Sequence, residues 1–400
     1  MATSASGSFR RIVWPLAIGE TIVWAAMYYS FPALLLEWEK DFGWTKTELT
    51  GAVTISLLIS AAAAPFAGRI IDHGHGRLLL VGSTFFGAVS LVLLSQVTQL
   101  WQFYAIWILI GLAMAGCLYD ACFSVLTRTM GDNAKRAITL VTLVAGFAGT
   151  VSFPSANALA ATLGWRGALI VFAAAMVLVA APLFWSAAGR ADKNPHVIPL
   201  PAGSKRAATL RLLRSPLAWC LSICFVAMAL NHGVIINHLL PLLDERGVQH
   251  ETAVLAASMI GPMQVMGRLA MMAAERHVST SLLFIVCTLA AAVASLSLYG
   301  SMAVPYLLVS FVLFQGAGHG VISILRPVII AEYLGRHDFG LIAGVLASVF
   351  LIGYALGPTV GSLIWEAGGY DRVIEFALGM ALLGLAAITL AWWLSRKHKT

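Results

Sequence analysis

The stretch AVLAASMIGPMQVMGRLAMMAA, residues 253–274, is long enough and apolar enough to cross a membrane as one helix. Its segment GPMQVMGR, which begins at Gly261, nevertheless ends on Arg268. A guanidinium keeps its proton, so its burial in hydrocarbon is costly unless a partner or water receives the charge. Two interpretations stand side by side: Arg268 faces a water-filled path and meets an anion there, or it lies near the cytoplasmic end and snorkels.

The composition of the whole chain also indicates a membrane protein. Of its 400 residues, 60% are hydrophobic and 11% are charged, and the mean hydropathy is +0.86. A soluble domain carries roughly 25% charged residues. The apolar runs are continuous, whereas a transmembrane β-barrel would show alternating segments of about 10 residues. The sequence therefore predicts an all-α integral membrane protein.

The cysteines predict no metal site and no disulfide. All five lie in apolar segments and show no metal-ligand spacing with histidines. We expect small buried thiols, and we expect no metal or other cofactor. The five are Cys117, Cys122, Cys220, Cys224 and Cys287.

Hydropathy divides the chain into twelve candidate spans, and the basic residues orient them. With a cytoplasmic N-terminus, only five of the 25 Lys and Arg fall on the outer side, as the positive-inside rule requires. We therefore expect a multi-pass protein of the cell (inner) membrane with both termini cytoplasmic, and the net charge of +7 reflects this topology rather than nucleic-acid binding. Spans one to twelve are predicted at 12–36, 49–71, 78–97, 101–127, 137–162, 166–187, 215–242, 252–273, 280–299, 304–330, 340–364 and 373–394.

A long polar segment separates two halves of six spans each. It predicts an N-terminal half at 1–188, a cytoplasmic linker at 189–214 and a C-terminal half at 215–400. The halves echo each other, since Phe153-Pro154 in span five and Gly357-Pro358 in span eleven lie 204 residues apart. The same offset relates Gly116 to Gly320. Parallel repeats of this kind build many transporters, in which substrate binds near the membrane midplane between the halves.

The loop between spans two and three carries a motif. It reads GRIIDHGHGR from Gly68 to Arg77, with Asp72 at its centre. It resembles the signature loop of the major facilitator superfamily, G-x-x-x-D-x-x-G-R, with one extra residue before Gly76. The resemblance implies the major facilitator fold of twelve transmembrane helices in two pseudo-symmetric halves, with Gly68, Asp72 and Arg77 in a conformational latch. The alternative is an ordinary short turn.

Three further stretches resemble the monocarboxylate-transporter-like branch of that superfamily, which includes bacterial oxalate/formate-type relatives. They are Tyr29–Pro32, Asp41–Glu48 and Gly164–Gly167. The branch places an acid and an arginine one turn apart in span eight, and the pair here is Gln264 and Arg268. The resemblance therefore implies an anion-binding arginine, whereas the acid is absent and the lysine that often follows Phe-Pro in span one is Ala33.

Two acids inside predicted spans are candidates for proton coupling. Glu20 lies ~12 Å into span one, at ~1.5 Å per residue, and a carboxyl in a low-dielectric site can carry a proton. It can equally be paired permanently with an arginine. Asp120 in span four and Arg326 in span ten sit at similar depth. They can form a gate across the halves, Arg326 can be a second anion anchor, or each can pair within its own half.

Other polar side chains are weaker candidates for a binding site. Asn231 and His238 share a helical face of span seven, where Gly233 and Pro241 suggest a broken helix. His238 can donate to a carboxylate, although a buried histidine is more often a satisfied structural group. Tyr28 can line the cavity. His319, in a Gly-rich run, can be a packing residue, and Arg128 is expected only to snorkel.

These features predict a secondary active transporter rather than an enzyme. The chain has no G-x-x-x-x-G-K-[ST] loop, so we expect no ATP as a partner. Since membrane topology accounts for the net positive charge, we expect no nucleic acid either. We expect a monomer in the lipid bilayer that moves a small, monocarboxylate-like organic anion by alternating access, coupled to protons through Glu20 or Asp120. Arg268, Gln264, Asn231 and Arg326 would hold the anion. The alternatives are a proton-driven exporter of neutral or amphipathic compounds, and a membrane receptor or lipid-modifying enzyme.

Overall fold

The computed structural model describes residues 2–191, 214–335 and 339–397. Within these ranges the ordered elements are helices, and no β-strand occurs. The chain divides into two compact units, Met1–Pro199 and Leu200–Thr400. Most of the predicted linker at 189–214 lies outside the described residues.

The N-terminal unit contains spans one to six. Span one is continuous, because a π-helix at Ala25–Tyr29 joins its two α-helical parts. Span four is broken between Cys117 and Tyr119. The α-helices of this unit are Ala2–Trp24, Ser30–Phe42, Lys46–Asp72, Gly76–Leu94, Leu100–Cys117, Tyr119–Met130, Ala134–Ala145, Ala148–Ala175 and Ala181–Ala191, with a second π-helix at Met176–Ala180 and a 3₁₀ turn at Gly131–Asn133.

The C-terminal unit contains spans seven to twelve. Its first four helices each correspond to one predicted span, and the last covers spans eleven and twelve together. The helices are Pro216–Glu245, His250–Ala274, Thr280–Gly300, Leu307–Leu334 and Phe339–Lys397.

Two glycine kinks bring the number of spans to twelve. Among the described residues, ten helical stretches are long and apolar enough to cross a membrane, and two of them have 54 and 55 residues. A bilayer core needs only about 20 residues. The first long stretch breaks at Gly164, where φ is 71°, and the second at Gly368 and Gly369, where φ of Gly369 is 72°. Glycine adopts this left-handed conformation without a steric cost, so each long stretch folds back as two spans.

Local signals fix where several spans begin. Thr45 and Glu48 form a capping box before span two: Thr45 Oγ1 accepts from the Glu48 N–H at 3.2 Å, and Glu48 Oε2 accepts from the Thr45 N–H at 2.8 Å. Ser215 and Ser279 cap spans seven and nine through their hydroxyls. These bonds satisfy amide groups that the first helical turn leaves without partners.

Glycines bring spans eight and ten into backbone contact. A Cβ placed on Gly267 would lie 2.5 Å from the Ala317 carbonyl oxygen, and one on Gly320 would lie 2.5 Å from the Gln264 carbonyl oxygen. A Cβ placed on Gly316 would likewise lie 2.7 Å from the Ile260 carbonyl oxygen. Small residues at such crossings let helix backbones approach closely. This packing places Arg268 directly against span ten.

We predict that Gly320→Ala lowers the thermal stability of the protein. The added methyl group would meet the backbone of span eight, which cannot move aside as a flexible side chain would. Overpacking of this kind costs about 1–3 kcal/mol. The measurement is the midpoint of thermal unfolding in detergent.

Gly379→Ala in span twelve is the matched control, because nothing lies within 4 Å of a Cβ at that position. In a helix interior, alanine is favoured over glycine by about 0.5–1 kcal/mol. The control should therefore unfold at the wild-type temperature or slightly above it. Equal midpoints for the two variants would contradict the close crossing of spans eight and ten.

Candidate functional site

Charged side chains that are exposed near the middle of a span show which surfaces of the helices do not face lipid. Many exposed residues on the spans are large and apolar, as contact with lipid requires. Asp120 in span four is also exposed, and Arg326 in span ten is partly exposed. Counted from the C-terminal ends of their helices, these two residues lie ~15 Å and ~12 Å into the spans, at ~1.5 Å per residue. Since a charge in hydrocarbon is costly, each of these positions indicates a surface of its own unit that does not face lipid.

Span four breaks immediately before Asp120. Leu118 has an extended backbone, with φ −90° and ψ −172°, and a new helix begins at Tyr119. Asp120 therefore sits in the first turn of that helix, where the partial positive charge of the helix end favours a carboxylate. Half-helix ends of this kind form ion and substrate sites in transporters.

Glu20 lies inside the N-terminal unit close to this break. Its side chain is fully buried, and neither carboxyl oxygen has a hydrogen-bond partner. The Cys122 thiol and the Trp24 indole lie beside the carboxyl, without reaching it in hydrogen-bond geometry, and the charge of Asp120 acts on it. The predicted proton-coupling acids Glu20 and Asp120 thus lie in one electrostatic cluster.

Aromatic rings surround this acidic cluster. The ring of Trp24 lies 4.7 Å from that of Tyr119 and 5.4 Å from that of Tyr28, centre to centre. Tyr28, a predicted binding residue, is fully buried in the π-helical turn of span one and packs edge-on against Tyr29. The Ser152 hydroxyl of span five donates to the Ala25 carbonyl of the same turn at 2.8 Å. π-Helical turns occur frequently at functional sites.

The predicted latch loop is held from two sides inside its own unit. Arg128 donates to the carbonyl oxygens of Ile71, at 2.5 Å, and Asp72. The Arg77 guanidinium lies 3.2 Å from the centre of the Trp185 ring. The expectation that Arg128 only snorkels is therefore wrong, because its guanidinium closes the C-terminal end of span two. At Gly68, the first residue of the loop motif, a Cβ atom placed on the backbone would have no atom of the described residues within 4 Å, so this glycine is not required by close packing.

In the C-terminal unit, one face of span ten is polar and partly exposed. It carries His319, Ser323 and Arg326, which are spaced by four and three residues. The Arg326 guanidinium stacks on the Phe350 ring of span eleven, 3.6 Å from its centre. Stacking on an aromatic ring fixes the plane of a guanidinium, whose N–H groups point outward along its edge.

Arg268 lies behind this face and is 4% exposed. Its Nε donates to the Gly320 carbonyl oxygen at 3.0 Å, and its Nη2 donates to Ser323 Oγ at 3.4 Å. The charges of Arg268 and Arg326 both act on the His319 ring. Gln264, one turn before Arg268, is also buried, under Gly320. Spans eight and ten thus bring two guanidinium groups to one histidine.

Asn231 and His238 of span seven make separate polar contacts with other spans. Asn231 Nδ2 donates to Ser295 Oγ at 3.1 Å and to the Ala377 carbonyl oxygen at 2.8 Å. His238 Nε2 lies 2.8 Å from the Pro358 carbonyl oxygen. Both side chains are buried, and these contacts tie span seven to spans nine, eleven and twelve.

Sequence reasoning missed the contact between His232 and His319. Their rings are stacked, with centres 3.3 Å apart and planes 6° from parallel. The two residues are on different spans, and neither lies in a recognisable motif. A histidine inside each of two predicted spans was the only available signal, and it did not show that the spans are neighbours.

All five cysteines are buried free thiols, as the sequence predicted. Among the described residues, no group of three or more His, Cys, Asp or Glu side chains is arranged to hold a metal ion.

The sequence and the fold both match those of known transporters. The chain is 22% identical over 334 residues to the MFS transporter asaE of Aspergillus flavus, an alignment that covers 83% of this chain and 74% of that protein. It is 36% identical over 89 residues to the MFS-type transporter gkaD of Penicillium citrinum, covering 22% of this chain and 15% of that one.

Solved structures of a bacterial homologue of the human lysosomal transporter Spinster have the same fold. The inward-facing, occupied form matches with a TM-score of 0.72 at 14% identity, covering 96% of both chains. The inward-facing, unoccupied form matches with a TM-score of 0.68 at 13% identity, covering 97% of both chains.

The family is decided by the match between residues 16–299 and the sequence profile described as the Major Facilitator Superfamily. This match spans more than half of the chain, and it confirms the superfamily that the loop motif indicated. The expected branch within the superfamily is not distinguished by these matches. The chain is a multi-pass membrane protein with the fold of this family, and it belongs to the Major Facilitator Superfamily.

Proposed function

We propose that this transporter moves a small organic anion across the membrane by alternating access and couples that movement to protons. The observation that carries the proposal is the pair of guanidinium groups at the polar face of span ten: Arg268 donates to Ser323 Oγ, and Arg326 lies three residues farther along that helix. Two guanidinium groups at this depth provide the positive charge and the hydrogen-bond donors that an anion needs. A carboxylate is the simplest ligand that matches them.

Arg326 is the residue that would contact the anion. It is partly exposed, and the Phe350 ring fixes the plane of its guanidinium. Arg268 is buried and donates to Gly320 and Ser323. Its role would be to orient the Ser323 hydroxyl and to add positive charge beneath the site. Gln264 and Asn231 would support the packing of spans eight and seven around it.

The aromatic rings of span eleven suggest what else the substrate carries. Phe350 and Tyr354 lie nearly parallel, with centres 6.1 Å apart and planes 15° from each other. They would provide an apolar surface beside Arg326. This arrangement fits a carboxylate with a short apolar body, in agreement with the monocarboxylate-transporter-like motifs of the sequence.

Glu20 is the acid that would carry the coupled proton. A buried carboxyl without a hydrogen-bond partner cannot hold a negative charge cheaply, so its charge state depends on whether water and Asp120 are accessible. Asp120 is exposed at the broken helix and would relay protons between Glu20 and the water-filled path. In this scheme, Glu20 binds its proton in the N-terminal unit, whereas the anion binds in the C-terminal unit.

Orientation, assembly and the conformational latch complete the proposal. Both termini would be cytoplasmic in the cell (inner) membrane, the protein would act as a monomer in the bilayer, and Gly68, Asp72 and Arg77 would control the transition between states. Arg128 would set the shape of that loop, because its bonds fix the carbonyl groups of Ile71 and Asp72.

A proton-driven exporter of neutral or amphipathic compounds is the second candidate. It is favoured by a series of aromatic rings in mutual contact that includes Trp24, beside Glu20, and extends over spans one, four and five. The rings are those of Trp24, Tyr28, Tyr29, Tyr119, Phe123 and Phe153. Proton flux that responds to amphipathic compounds and not to carboxylates would favour this function.

We predict that Arg326→Gln reduces carboxylate transport by about 10–100-fold, because hydrogen bonds to charged groups contribute about 1.5–3 kcal/mol. The measurement is counterflow of a labelled carboxylate, drawn from a panel that includes formate, lactate and oxalate, in proteoliposomes. Arg268→Gln should also reduce it, through the loss of support for Ser323.

Arg276→Gln is the matched control, since this arginine is exposed just beyond the end of span eight. It should transport at the wild-type rate. Full carboxylate counterflow in Arg326→Gln would overturn the assignment of the anion site.

We predict that Glu20→Gln abolishes proton-driven accumulation while it preserves carboxylate counterflow. Glutamine keeps the size and polarity of the side chain but cannot release a proton. The measurement compares uptake driven by an imposed pH gradient with exchange at equal pH on both sides. Glu37→Gln, farther along the same span, is the control and should accumulate substrate normally. Gradient-driven accumulation by Glu20→Gln would show that another group carries the proton.

A further inference from the structure

The stacked pair His232 and His319 has no role in the function proposed so far. His232 is 2% exposed, whereas His319 is partly exposed on the polar face of span ten. The His319 ring therefore lies on the partly exposed polar face of span ten, and the His232 ring lies behind it in the interior of the unit. The distance of 3.3 Å between ring centres is close for two aromatic rings in face-to-face contact.

A polar neighbour contacts the imidazole ring of His232. The amide nitrogen of Gln315 lies 3.3 Å from His232 Nδ1. When an amide N–H donates to Nδ1, that nitrogen carries no proton and the imidazole is neutral. Two positively charged imidazolium rings stacked at this distance would repel each other strongly. Beyond the one N–H proton of each neutral ring, the pair can therefore accept at most one additional proton. The two rings then titrate as a single unit.

A polar network holds the pair in place. Gln315 Nε2 also lies 3.5 Å from Asn231 Oδ1, and Asn231 in turn donates to Ser295. The four residues Asn231, His232, Ser295 and Gln315 are all buried. These contacts satisfy the amide nitrogens of Gln315 and Asn231, whereas Gln315 Oε1 is buried without a hydrogen-bond partner among the described residues. The network fixes His232 against His319 across spans seven, nine and ten.

The charges that face the pair favour a link to anion binding. The titratable and charged groups of the described residues that act on these rings are Arg268 from span eight, Arg326 from span ten and Tyr354 from span eleven. Neither arginine can be neutralised by losing its proton. A proton added to the histidine pair would therefore place a positive charge close to the two guanidinium groups. A bound carboxylate would remove that repulsion.

We propose that the His232–His319 pair is a proton-binding site that fills together with the anion, so that the transporter takes up the carboxylate and a proton at the same site. This inference deepens the proposed function and rests on it. Anion and proton would each raise the affinity for the other by the same factor, because binding linkage is reciprocal. This site is distinct from Glu20, which lies in the other unit.

The test is proton uptake on substrate binding. The purified protein in detergent, in weak buffer with a pH indicator, is mixed with lactate, and with oxalate as a second probe. Wild type should take up close to one proton per bound anion, and its affinity should fall by up to about tenfold per pH unit on the alkaline side of the transition. His319→Asn and His232→Asn should bind the anion with little pH dependence and without proton uptake.

Two controls separate this site from other charged residues and from general histidine effects. Arg276→Gln, exposed just beyond the end of span eight, should keep the proton uptake of wild type. His250→Gln should also keep it, since His250 is exposed at the start of span eight. Thermal unfolding of each variant with and without lactate shows whether it is folded and binds the probe.

The outcomes distinguish the two proposals. Anion binding without proton uptake in wild type, or uptake that persists in both histidine variants, would overturn the histidine-pair site and leave the anion transporter standing. Failure of wild type to bind any carboxylate would overturn the proposed function and this inference with it.

Discussion

The cost of placing a charge in hydrocarbon constrains this molecule more than any other interaction. Each charged or strongly polar side chain within a span needs a partner, a bound proton or contact with water. Arg268 meets this requirement through a backbone carbonyl and a hydroxyl of span ten, and Arg326 lies on an aromatic ring with its face partly open. Glu20 has no such partner for its carboxyl oxygens, and it is the group for which protonation is the simplest remedy. The proposed transport chemistry follows from how each of these requirements is met.

Close helix packing makes these arrangements possible. Glycines let spans eight and ten touch along their backbones, and Gly233 and Gly357 do the same for spans seven and eleven. At the predicted outer ends, the two units use similar clamps: the Trp165 indole donates to Asp41 at 3.0 Å, and the Trp365 indole donates to Glu245 at 2.8 Å. Glu245 follows Asp41 by 204 residues, the same offset that related the proline positions in the sequence, whereas Trp365 follows Trp165 by 200. The two units therefore use the same kind of clamp at slightly different registers.

The sequence predicted the fold well because the signals that determine it are local. Runs of apolar residues set the twelve spans, and Gly164 and Gly369 mark turns within helices that otherwise run on without a break. The motif from Gly68 to Arg77 indicated the superfamily that the family match confirms. The break at Leu118 carried no such signal, since neither proline nor glycine occupies that position.

The candidate site was predicted only in part, because it depends on contacts between distant segments. Hydropathy identified Arg268, Arg326 and Glu20 as unusual, since each interrupts an apolar run. It could not show that Arg268 is buried behind span ten while Arg326 is partly exposed. It also could not bring His232 to His319, which depends on how spans seven and ten pack. The substrate and the residues that bind it therefore remain proposals for experiment.

The most direct test of the central claim is the reactivity of a cysteine placed on the polar face of span ten. Ser323→Cys and Leu313→Cys lie on the same helix, and Leu313 is 45% exposed among apolar neighbours. The five native cysteines are buried. If this face lines a water-filled path, a charged, water-soluble thiol reagent will modify Ser323→Cys much faster than Leu313→Cys, and a bound carboxylate will slow the reaction. Equally slow modification of both positions would place the face in lipid or in a closed interior, and the account of an anion carrier would fail.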